Sequence, residues 1–151
     1  MPNTKPVGVA FSDPELVAGT TITGATISEG TISGATSVSA ADVTTTGGLY
    51  LKSATVAATG TNQATAASVS DGFTLVSAAD GTKGVKLPAA VAGRTVILKN
   101  NANAVLKVWP ASGDAVNAIA ADSNYVLAAF TSSLLVAYDS TTWYSVPLLA
   151  S

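Results

Sequence analysis

The chain has 151 residues, 48% of them hydrophobic and 11% charged, with a net charge of −2 and no cysteine or histidine. That is enough apolar material for one domain with an extension. The balance of charge offers no basic field for nucleic acid or an anionic membrane. Disulfides, thiolate or imidazole metal sites, and any nucleophile–histidine arrangement are excluded.

The opening "MPNTKPVGVAFSDPELVAG" lacks a charged segment followed by a long apolar one. No apolar run approaches the roughly 18 to 20 residues of a membrane helix, so a soluble, unexported chain is expected.

From Thr21 the sequence repeats in pentads, TITGA, TISEG, TISGA, TSVSA and ADVTT. Ile22, Ile27 and Ile32 are in phase, and Val38 and Val43 are displaced by one. Residues five apart on a flat strand point to opposite faces, so one strand cannot bury the three isoleucines on one side. A helix would scatter them, and glycine and β-branched residues are weak helix formers. A single-chain solenoid, a flexible linker and an intertwined assembly of identical chains remain. In the last of these both faces of each strand are buried against neighbours. It accounts for the odd period and predicts a homotrimer with Ile22, Ile27, Ile32, Val38 and Val43 at the interface. Fully extended, residues 19–45 would reach roughly 80 to 90 Å.

Beyond Thr46 short apolar or alternating runs recur: "LYLKSATVA", "FTLVS", "GVKLP", "RTVILKN", "AVLKVWP", "AVNAI", "YVLAAF", "LLVAYD" and "WYSVPL". Turn signals such as "AADGTKG", "KNNANA", "PASGD" and "DSTT" separate them. Spacing of about 8 to 12 residues predicts an antiparallel β-sandwich or barrel. The expected fold class is all-β. Residues 1–18 form an N-terminal segment, 19–58 the pentad repeat and a linking strand that make a trimer stalk, and 59–151 the sandwich.

Chemistry is sparse. Asp114, Asp122 and Asp139 are the acids late in the β region. Nothing in their spacing sets two of them about 5 to 9 Å apart across a cleft as a glycosidase requires, and turn capping is the commoner role. No catalytic, cofactor or metal site is expected. Lys83, Lys86, Arg94, Lys99 and Lys107 fall with no intervening acid. They are read as solvent-facing and strand-edge lysines, or as a patch for acidic groups on a partner or neighbouring subunit. Trp143 and Tyr144 are adjacent on a strand and must face opposite sides, leaving one exposed or in an interface.

The segments "TKPVGVAFSDPELVAGTTITGATISEGTISGAT", "LPxxxxGRxxxxxN" from Leu87, "VxPxxGDxxN" from Val108 and "TTWYSV" from Thr141 follow in this order. Together they resemble tailed-bacteriophage capsid decoration, cement and head-fibre proteins. The resemblance implies a homotrimer on the outer surface of the capsid, assembled in the host cytoplasm. There it would contact the major capsid protein through residues before Gly19, with Val7, Val9, Phe11, Leu16 and Val17 as anchors. No nucleic acid, membrane or cofactor partner is implied. Two further readings remain: a fibre-tip module that binds host surface glycans through Trp143 or Tyr144, and a carboxylate-based depolymerase.

Overall fold

The structure, a computed structural model, describes residues 47–148, which fall within the second of the chain's two units, Thr45–Ser151. Among them are ten strands: β1 (Ser53–Ala57), β2 (Ala67–Ser68), β3 (Gly72–Ala78), β4 (Gly84–Lys86), β5 (Thr95–Asn100), β6 (Leu106–Trp109), β7 (Ala115–Val116), β8 (Tyr125–Leu127), β9 (Ser132–Ala137) and β10 (Thr142–Leu148). The described residues hold no helix, so this region is all-β as expected. The N-terminal segment and the pentads, including the proposed stalk, lie outside the described residues.

Up to β9, successive strands alternate between two sheets. One is six-stranded, ordered β1-β3-β5-β9-β10-β7, and the other four-stranded, ordered β2-β4-β6-β8. In the first, β3 lies parallel to β1 and β5 parallel to β3. In the second, β4 lies parallel to β2 and β6 parallel to β4. A parallel neighbour requires a crossover connection, and here the crossover is the strand in the opposite sheet. Ser53 therefore pairs with Phe73, and Phe73 in turn with Ile97, each partner lying one full coil further along the chain. The chain climbs as a stack of coils.

The antiparallel sandwich or barrel expected for 59–151 is accordingly corrected. Five of the eight strand pairings are parallel, and the stacking is solenoid-like. The cause is a degeneracy of spacing: evenly spaced apolar runs fit a series of hairpins, and equally a coil with one strand in each sheet. Direction reverses only after β6, where β8 runs antiparallel to β6, β9 to β5 and β10 to β9. β1, which precedes residue 59, is the edge strand of the larger sheet.

Between the sheets lies one apolar cluster that includes Val76, Val85, Leu98, Leu106, Leu135 and Trp143. Each such side chain contributes roughly 1.5 to 3 kcal/mol on burial. Strand alternation selects them, since β5 buries Val96, Leu98 and Asn100 and turns Thr95, Ile97 and Lys99 outward.

Glycine is required where the coils turn or approach closely. Gly72, at φ +89°, opens β3 where any Cβ would meet the Lys52 carbonyl oxygen.

Candidate functional site

Strand register builds an apolar outer face on the six-stranded sheet. Outward-facing Phe73, Ile97, Leu134 and Val146 form a continuous row across β3, β5, β9 and β10. The adjoining row places Val136 beside Tyr144. Val146 and Tyr144 are about half exposed, at 49% and 50%. Tyr144 also meets Tyr138 edge to face, with ring centroids 6.0 Å apart. Among the outward strand residues of this face only Lys99 is charged, and its Nζ donates to the Phe130 carbonyl at 2.6 Å. A shallow concavity of about 340 Å3 lies between β1 and β3, lined by Ser53, Ala54, Thr55, Phe73 and Leu75.

The outer face of the four-stranded sheet differs. Lys107 sits between Gly84 and Val126, and Lys86 sits beside Trp109. The Trp109 indole lies over Gly84, where a Cβ would be 2.9 Å from Nε1. That buried Nε1 has no hydrogen-bond partner among the described residues. Neither Lys86 nor Lys107 has an ion pair among them. The five-residue basic run is therefore divided by the fold. Lys83 pairs with Asp80 at 3.2 Å and Arg94 with Asp71 at 3.1 Å, while Lys99 belongs to the apolar face. Lys86 and Lys107 alone give the smaller sheet its positive face.

The late carboxylates are occupied by hydrogen bonds within the fold. Asp114, buried, accepts from the Ala90 N–H at 2.8 Å. Asp122 accepts from Gln63 Nε2 at 2.9 Å and the Gly113 N–H at 2.8 Å, and these bonds hold its pKa below the ordinary carboxylate value. Asp139 accepts from the N–H groups of Thr141 and Thr142 at the β9–β10 hairpin, which likewise lowers its pKa. The described residues contain no cluster of three or more acids that would hold a metal ion.

Trp143 is fully buried and Tyr144 half exposed. The pair does face opposite sides, and Trp143 is withdrawn as a glycan platform. The anchor residues Val7, Val9, Phe11, Leu16 and Val17 lie outside the described residues, as do the interface residues Ile22, Ile27, Ile32, Val38 and Val43. Sequence reading missed the apolar outer face, although its signal was present. "FTLV", "TVIL" and "LLVA" place aliphatic residues at consecutive positions, which makes both sides of a strand apolar.

The chain matches no protein-family model and no curated protein.

Proposed function

We propose that this chain is a structural virion protein, a homotrimeric decoration protein of the cement or head-fibre kind. It would bind the outside of a tailed-phage capsid and stabilise contacts between major capsid protein subunits. The observation that carries the reading is the surface of the described region. It offers two sheet faces of different character, one apolar and one bearing lysines, with its late carboxylates engaged in hydrogen bonds within the fold. Broad faces of this kind suit protein–protein contact, whereas small-molecule sites are concave with convergent polar groups.

The order of sequence segments supplies the rest of the reading. Residues before Gly19 anchor each chain to the shell, the pentads wind three chains together, and the β region faces outward. Three arms attached at once convert modest single-arm affinity into strong attachment through effective concentration, often by 10²-fold or more. Bridging neighbouring shell subunits then opposes their separation with no chemical step.

The test is cosedimentation with capsid shells assembled from the major capsid protein. The intact chain is expected to sediment with shells as a trimer, and a chain lacking residues 1–18 to remain trimeric but stay in the supernatant. Retained occupancy by the shortened chain would remove the anchor assignment. An intact trimer that ignores shells would remove the decoration role.

A second reading, a receptor-binding module for host surface glycans, is favoured by the exposed Tyr138–Tyr144 pair, since aromatic faces stack on sugars. Glycan-array binding that disappears in Tyr138→Ala or Tyr144→Ala would select it.

A further inference from the structure

We propose that the loop end of the stack around Phe130 and Asn101 is a binding site for a neutral saccharide. The proposal rests on the glycan reading above and moves its site from the Tyr138–Tyr144 pair to the opposite end of β9, roughly 20 Å away along the strand. It is compatible with a decoration role, which leaves the β region facing outward.

Phe130 has a φ of +58°, in the left-handed region where glycine or asparagine is the ordinary occupant and a bulky residue is strained. Its side chain is 51% exposed, so core packing does not ask for a phenyl ring there. The turn nevertheless holds the ring in place. The Phe130 carbonyl accepts from Lys99 Nζ at 2.6 Å and the Thr131 carbonyl from the Asn100 N–H at 2.9 Å. The Ala128 carbonyl accepts from both Asn100 Nδ2 and Thr131 Oγ1. Strain that the surroundings over-determine, at a residue the fold does not need, points to a use outside the fold.

Strand register brings polar groups to the same place. The β5–β9 ladder pairs Lys99 with Ser132, and the bond from the Asn100 N–H to the Thr131 carbonyl carries it one step further. The next step sets Asn101 opposite Phe130. Asn100 Nδ2 also donates to the Ala104 carbonyl at 2.8 Å, which draws in the loop that carries Asn103. Asn101 and Asn103 are exposed, and their carboxamides make no hydrogen bond among the described residues.

A neutral sugar has an apolar C–H face and a rim of hydroxyls that donate and accept. A phenyl ring covers the first, and a carboxamide, with two donors and an acceptor, matches the second. An anionic ligand fits less well, because Lys99 is bonded to the Phe130 carbonyl and Lys83, on the neighbouring loop, is paired with Asp80. One ring and two carboxamides also fall far short of the roughly 800 Å2 per partner that a stable protein contact buries.

The test applies the full chain to an array of mannose-, glucose- and galactose-terminated oligosaccharides beside sialylated and sulfated ones. Retention on the neutral set is expected, at least about tenfold weaker for Phe130→Gly, weaker for Asn101→Ala and kept by Phe130→Tyr. Glycine adopts φ +58° without strain, so Phe130→Gly should melt no lower than the unaltered chain, which separates lost binding from lost fold. Binding unchanged in Phe130→Gly overturns the assignment. Binding lost in Tyr144→Ala instead also overturns it and leaves the glycan reading standing. Retention on the anionic set alone overturns the ligand class. An intact chain that retains no saccharide removes both the site and the glycan reading.

Discussion

Asn100 closes β5 in phase with Val96 and Leu98 and is fully buried. Its Nδ2 donates to the carbonyls of Ala104 at 2.8 Å and Ala128 at 2.9 Å, and its Oδ1 accepts from the Ala102 N–H at 3.1 Å. One side chain thereby ties the β5–β6 and β8–β9 connections together. Asn100→Leu would strand these backbone groups inside the protein, and each unsatisfied group costs about 1 to 3 kcal/mol. Denaturant unfolding should show a loss of at least about 2 kcal/mol; a loss below about 0.5 kcal/mol would mean that the loops are held otherwise. The "KNNANA" stretch reads as a turn, and that part is legible because Asn favours turns. The staple itself was hidden, since it depends on loops from distant coils converging on one residue. Acid sensitivity also belongs to single residues. Hydrogen bonds to the Asp80 carboxylate from Thr82 and Lys83 hold its pKa well below the ordinary value, as similar bonds do for Asp122 and Asp139. A depressed folded-state pKa contributes stability above the unfolded value of about 3.9, and that stability is lost as pH falls through the folded values. With no histidine in the chain, the melting temperature should stay level from pH 7 to 5 and fall below about pH 4. A marked drop between pH 7 and 5 would contradict this.

At the scale of elements, β4 fits closely against β6. A Cβ on Gly84 would stand 2.5 Å from the Lys107 carbonyl oxygen, which is backbone and yields only if the strands move apart. Gly84→Ala should therefore cost about 1 to 3 kcal/mol and alter the fluorescence of Trp109, whose indole covers the glycine. Unchanged stability and emission would show that the strands separate freely here. Most strands were readable because an apolar run such as "TVIL" or "LLVA" is long enough to mark itself. β2, only Ala67–Ser68, carries no such mark and emerges only from its pairing with β4. Strand direction was not readable at all. Alternation reports which side of a strand is buried, and a strand in a coil alternates in the same way as one in a hairpin. What fixes direction is the pairing of Ser53 with Phe73 and of Phe73 with Ile97, a long-range fact with no local signature. Consecutive aliphatics in β3, β5 and β9 recorded that both faces of the larger sheet are apolar, and sequence reading took them only as strand formers.

For the whole molecule, the stack of coils ends differently at its two sides. Beyond β5 the larger sheet is continued by the antiparallel strands β9 and β10 and then by β7, whereas its other edge is β1, the strand that follows Leu49–Leu51 in the chain. The proposed assembly of identical chains would account for isoleucines spaced in a period that no single strand or helix can bury. The measurement that tests this most directly is the molar mass of the intact chain in solution, by light scattering over a range of concentrations. The account predicts three times the 14.9 kDa of one chain. A monomer at every concentration would contradict it, reducing the pentads to a tether.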